Sequence, residues 1–263
     1  MRNTPIGPRL ALAALSLALT QTGWVGLPGT ARAQTAEDGW APPVAEGDRP
    51  TSGDASLLSG RTLGNGEVML AAALGWPGFW AHLELAPSST VNLGIRATVL
   101  YGSPVMGVRV GAGGEVSIPI RIRLWGEGEA DLALRLTPRA ALGEGLLFGE
   151  TTTFGGELGW MARIDAEAVV GFHPDPRVTF IFGIGVGGGL SHVPAAASPE
   201  GLGRIEATVG VEGLLARDTM LFAEVKAGYG IARAPNGRPF YGAGLGDGER
   251  VVLGLSLGVA YLL

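Results

Sequence analysis

Residues 251–263 read VVLGLSLGVAYLL. Successive side chains of a β-strand point to opposite faces. One face therefore carries Val251, Leu253, Leu255, Leu257, Val259, Tyr261 and Leu263. The other carries Val252, Gly254, Ser256, Gly258, Ala260 and Leu262. The first face is a wall of large apolar groups and the second is mostly small. What covers that wall decides the fold.

The same two-residue period returns along the chain. It predicts an all-β chain of about ten antiparallel up-and-down strands, with eight or twelve as alternatives, over about residues 66–75, 78–86, 90–101, 105–124, 127–138, 156–172, 177–190, 202–214, 218–232 and 249–263. Most reach the ~9–11 residues that a tilted strand needs to cross a bilayer. One face of these segments holds residues such as Leu70, Leu83, Ile95, Ile120, Leu134, Ile164, Phe182, Val209 and Val225, and no charge. The opposite face holds Glu67, Glu84, Arg96, Arg109, Glu115, Arg121, Arg123, Glu129, Asp131, Arg135, Glu157, Arg163, Asp165, Glu167, Arg204, Glu206, Glu212, Glu224 and Lys226.

A soluble sandwich gives a similar alternation, with the apolar face buried between sheets. Three features favour a closed barrel with lipid outside and polar groups inside. The apolar face is unbroken over ten strands, an export signal leads the chain, and the last strand runs to the end of the sequence. An open sheet edge cannot exist in lipid, so the first and last strands are expected to pair.

The export signal is read over residues 1–33. Arg2 and Arg9 precede the apolar run LALAALSLAL (10–19), too short for a spanning helix. Ala31 and Ala33 then form a small-x-small cleavage site. Cleavage there removes three arginines and no acid, leaving the remainder more acidic than the whole chain's net charge of −5. That balance gives no reason to expect nucleic acid. Residues 34–60 are rich in Pro, Gly and acid and show no period, so a disordered lead-in is expected. The barrel is assigned to 61–263. There is no cysteine among the 263 residues, which excludes disulfides, thiolate metal sites and a cysteine nucleophile.

Connection lengths fit a barrel with a periplasmic N-terminus. One end has the short turns 87–89, 125–128, 173–177 and 216–218. The other has five connections, the short WPG and SP and the long 139–154, 191–201 and 232–249. Segment 105–124 is long enough to contain a bend.

With its leader, its alternating segments and the ending GVAYLL, the chain resembles small bacterial outer-membrane β-barrels, the class of outer-membrane proteins A and W. The resemblance is architectural and covers about 61–263. It implies location in the outer membrane of a Gram-negative bacterium, with the lipid bilayer as partner. It also implies insertion by the barrel-assembly machinery, which reads the terminal strand. Val259 and Tyr261 match the family's ending, whereas Leu263 stands where Phe or Trp is usual. No peptidoglycan-binding domain is expected after strand ten.

Chemistry is sparse. His82 and Glu84, at i and i+2, project together and are expected to pair inside the barrel. His173 is expected in a solvated turn. Ser191 and His192 near the rim raise the alternative of a rim-located hydrolase, which needs a nucleophile, a base and an acid converging in space. GIGVGGGL (183–190) lacks the Lys-Ser/Thr of a phosphate loop. Its glycines are expected to make room for opposing side chains. No cofactor and no metal are expected. The charged face is expected to form paired networks that fill the lumen, because an isolated charge there is costly to desolvate. Gly183, Gly185, Gly187, Gly228 and Gly230 mark an expected roomier outer half. The function read from the sequence is therefore non-enzymatic, structural or surface-interacting, with a narrow porin-like channel as the alternative.

Overall fold

The computed structural model describes residues 55–102, 112–144, 158–192, 199–233 and 249–263. Its strands are β1 (Val68–Trp76), β2 (Gly78–Ser88), β3 (Val91–Leu100), β4 (Gly113–Ser117), β5 (Ile120–Glu127), β6 (Ala130–Glu144), β7 (Leu158–Asp175), β8 (Val178–His192), β9 (Glu200–Leu214), β10 (Thr219–Arg233) and β11 (Glu249–Leu262). Every neighbouring pair is antiparallel. β11 pairs with β1, Leu70 opposite Tyr261 and Leu74 opposite Leu257, and this closes the sheet on itself.

β4 and β5 are two halves of one stave, since both pair with β3 and with β6. The ring is thus a ten-stranded closed barrel. The break lies at Ile118 and Pro119, within the segment 105–124 whose length left room for a bend. Pro119 has no N–H to offer a neighbour. The ladder is nevertheless bridged there: Ile118 N–H donates to the Pro138 carbonyl at 3.0 Å, and Gly94 N–H to the Pro119 carbonyl at 2.8 Å.

Parity holds around the barrel. Leu74, Ile95, Ile164, Phe182, Val209 and Leu257 stand exposed on the outside. Met69, His82, Glu84, Asp131, Glu167, Glu212 and Phe222 are buried inside. Short turns join β2 to β3, β5 to β6, β7 to β8 and β9 to β10 at one end. In the last of these, the Thr219 hydroxyl donates to Asp218 at 2.9 Å. That bond, with a second from Tyr261, holds the Asp218 carboxyl below the usual carboxylate range. The opposite end carries the connections 145–157, 193–199 and 234–248, whose residues lie almost wholly outside the described ones.

Two boundaries differ from the sequence reading. β6 runs on to Glu144, so residues 139–144 are strand rather than loop, Arg139 opposite Arg163 and Leu142 opposite Trp160. Pro138 and the weak alternation of small residues after it hide this continuation. β7 runs on to Asp175, which brings His173 into the strand.

The larger difference concerns the lead-in. Residues 34–54 lie outside the described residues, but 55–60 are not a free tail. With 61–63 they enter the barrel at its short-turn end. Ser56, Leu57, Leu58, Ser59, Thr62 and Leu63 are all buried. Leu57, Leu58 and Leu63 pack with Met69, Val169, Ile181 and Phe222 in one apolar cluster inside the ring. The segment lacks a period because it belongs to no sheet; its partners are far away in sequence.

Arg61 sits in the middle of this inserted segment, its side chain 17% exposed. Trypsin should spare the Arg61–Thr62 bond in the folded protein. In Glu212→Ala, which removes an anchor of the segment, a fragment beginning at Thr62 should appear, read by N-terminal sequencing. Equal cleavage in both would mean that the segment is not held in the lumen.

Candidate functional site: a charged lumen closed by an inserted segment

The tier nearest the short turns holds the inserted segment by its main chain. Glu212 on β9 accepts N–H groups from Leu57 at 2.9 Å and Leu58 at 2.6 Å, and the Ser56 hydroxyl. Asp131 on β6 accepts from Gly60 N–H at 2.6 Å, the Ser59 hydroxyl at 3.1 Å and Gly171 N–H at 3.0 Å. Arg121 on β5 donates to the Ser59 carbonyl at 2.8 Å, and Arg135 on β6 to that of Leu58 at 2.6 Å. Asn92 on β3 takes the Leu63 N–H at 3.2 Å. Charged side chains thus stand where neighbouring strands would satisfy a sheet's main chain. Buried main-chain groups need such partners. Gly60 is required: a Cβ there would lie 2.9 Å from the Leu132 backbone and 2.5 Å from Asp131 Oδ1.

Further along, Glu84 accepts from Arg121, from Asn92 and from His82 Nε2 at 2.8 Å, the interior His82–Glu84 pair expected from their spacing. Glu167 is met by Arg135 at 3.2 Å, Lys226 at 3.3 Å and the Thr208 hydroxyl. Glu224 lies 3.6 Å from both Arg135 and Lys226. Arg96 stacks over the Trp80 ring at 4.1 Å. Beyond these, Asp165 gathers Arg139 at 2.7 Å, Arg163 at 3.1 Å and Arg204 at 3.1 Å. Glu115 pairs with Arg139 at 2.8 Å and Glu206 with Arg204 at 2.9 Å. Leu100, Ala141 and Met161 then form a small apolar cluster towards the long-connection end.

Most of the expected charged face therefore meets in one lumen. Five residues do not. Arg109 and Glu157 lie outside the described residues, and Glu67 sits just before β1, where it accepts the Gly64 N–H at 2.6 Å. Glu129 is exposed in the turn before β6. Arg123 turns to the Gly126 carbonyl at 2.9 Å instead of to an acid. A register shift between Arg123 and Trp125 ends the strict alternation at that point, so parity misplaced both rim charges.

Arg139 is the main residue the sequence reading missed, because it was assigned to a loop. His173 is the second. It is buried and bonds Asp131 through Nε2 and the Thr179 hydroxyl through Nδ1 at 2.8 Å, rather than lying solvated in a turn. The glycines of 183–190 do make room for side chains: a Cβ on Gly187 would fall 2.1 Å from Asp165 Oδ1. Beside Gly183 and Gly187 the space is taken by Glu167 and Asp165, whereas Gly230 has only ordinary contacts around it. Ser191 is buried inside, whereas His192 follows on the opposite face beside Trp160, so the two do not converge. Val259, Tyr261 and Leu263 stand exposed on the outer wall.

Among the described residues the lumen has a recess of about 20 Å³, roughly what a water molecule needs. Among the described residues no group of three or more His, Asp or Glu side chains is arranged to hold a metal. No protein-family model matches the chain, and no curated protein matches it.

Removing one member of a buried ion pair strands the other, a loss of about 3–5 kcal/mol. Arg139 serves both Glu115 and Asp165, so Arg139→Met should lower the unfolding free energy of the refolded protein by about 3 kcal/mol. Arg123→Met should change it by less than about 0.5 kcal/mol. Denaturant titration of the two variants separates these outcomes; comparable losses would contradict the lumen assignment.

Proposed function

We propose that the protein is an integral β-barrel of the outer membrane of a Gram-negative bacterium, with a structural or surface-interacting role and a lumen closed to steady flow. The observation that carries this reading is the outer wall. Large apolar side chains cover the outside of the closed ring, with Leu74 at 72% and Leu257 at 64% exposure. Water is a poor neighbour for so much apolar surface, and monomeric soluble proteins rarely expose it.

Its height suits a bilayer. On β7, Trp160 and Phe172 both face outward near opposite ends. Twelve residues at ~3.4 Å each, tilted ~40°, span ~30 Å, the thickness of a hydrocarbon core. Trp76 and Tyr101 join Trp160 at one end, and Trp125, Phe180 and Tyr261 join Phe172 at the other, as aromatic girdles do. The leader over 1–33 supplies the export route. The outward stripe of Val259, Tyr261 and Leu263 supplies the strand that the assembly machinery would read.

The inserted segment and the paired charges favour closure over a porin-like channel. The opposed faces of Ser191 and His192 count against a rim hydrolase, so the role is read as non-enzymatic, needing neither metal nor cofactor.

Refolded protein should run on detergent gels at different mobilities with and without boiling, and should give negligible steady conductance in planar bilayers. A monomer that stays folded without detergent would overturn the membrane reading. Porin-like steady conductance would replace closure with a channel.

A further inference from the structure

Three polar groups on three neighbouring staves face the lumen without a hydrogen-bond partner: His82 Nδ1 on β2, Arg96 Nε on β3 and Ser117 Oγ on β4. They lie side by side, because Arg96 is paired in register with His82 on one side and with Ser117 on the other. His82 is 3% and Ser117 1% exposed. Adjacent strands are ~4.8 Å apart, so one small acceptor between them can reach more than one donor.

Arg96 differs from the other lumen cations. Among the described residues, Arg121, Arg135, Arg139, Arg163, Arg204 and Lys226 each have a carboxylate within 4.0 Å, and Arg96 has none. The face of Trp80 lies 4.1 Å from its guanidinium, while Glu224 and Glu115 act on it only from beyond ion-pair distance, alongside the like charges of Arg139 and Arg135. Arg96 and His82 line the 20 Å³ recess with four other cations, Arg121, Arg135, Arg139 and Lys226, and a single carboxylate, Glu84. Glu84 already accepts from Arg121, His82 and Asn92. Glu224 is drawn towards Arg135 and Lys226. A guanidinium cannot shed its proton at any ordinary pH. Water in the recess would satisfy the orphaned donors but leave five cations facing one carboxylate on its lining, an excess of one sign that is unfavourable in so confined a space.

We infer that the recess beside Arg96 binds one small monovalent anion of halide size, held by Arg96 Nε–H and neutralised by the surrounding guanidiniums, with the hydroxyl of Ser117, next to Arg96 on the neighbouring stave though not on the recess lining itself, turned to it. A recess with room for about one water molecule suits a monatomic ion. His82, whose Nε2–H goes to Glu84, keeps a lone pair at Nδ1 and gives the anion no donor as a neutral ring.

Chloride and bromide are the probes. The thermal midpoint of the refolded full chain in detergent should rise with halide concentration, relative to gluconate at the same ionic strength, because a ligand that binds only the folded state stabilises it. The difference should vanish in Arg96→Gln and shrink in Ser117→Ala. Crystals grown in bromide should show an anomalous peak within hydrogen-bonding distance of Arg96 Nε, a readout that needs no variant to fold. A midpoint that follows ionic strength alone, a halide effect unchanged in Ser117→Ala, or density for water without anomalous signal would each overturn the site. None of these readings depends on whether the barrel spans a membrane.

Discussion

The antiparallel pairing of β11 with β1 is the constraint on which the rest of the structure depends. It leaves the ring with no strand edge, so main-chain groups are satisfied around the whole circumference. It also creates two surfaces that each strand must serve in alternation. A shift of one residue in any register would move that strand's whole apolar set inside and its charges outside. The alternation in 251–263 is legible for that reason: the terminal strand must obey the same rule as its neighbours on both sides.

The inner surface is where the physics is tightest. Ten staves leave a bore that side chains nearly fill. Charged groups there survive by multiple partners: Asp165 is met by Arg139, Arg163 and Arg204, and Glu167 by Arg135 and Lys226. Near the short turns the bore is filled instead by residues 55–63, whose leucines complete an apolar cluster with Met69, Ile181 and Phe222. Their main chain is bound by Glu212, Asp131, Arg121 and Arg135. The same four residues thus work both as lumen charges and as the seat of the inserted segment.

How much of this could be read in advance follows from the range of each interaction. Strand period is local, so the staves and the two faces were visible in the sequence, while the length of 105–124 left room for a bend without placing it. So were the His82–Glu84 pair and most lumen charges, since parity alone places them. Arg139 was hidden because Pro138 interrupts the pattern, and only pairing with Arg163 across β7 extends the strand. His173 was hidden by the turn-like prolines around it. The inserted segment could not be read at all: SLLSG carries no period, and its partners, Asp131 and Glu212, lie 71 to 156 residues away. Glu129 and Arg123 failed in the opposite sense, as a bulge near the rim broke a parity that the sequence showed as continuous.

The central claim is that the apolar face of the strands meets lipid and the small, charged face meets the lumen. The most direct test places single cysteines at Gly254, Leu255, Ser256 and Leu257 in this otherwise cysteine-free chain, labels each with a fluorophore and reconstitutes the protein in vesicles. A quencher carried on lipid chains should strongly quench positions 255 and 257 and spare 254 and 256, a two-residue oscillation along β11. Quenching without that alternation, or strongest at 254 and 256, would contradict the assignment of the wall to the bilayer.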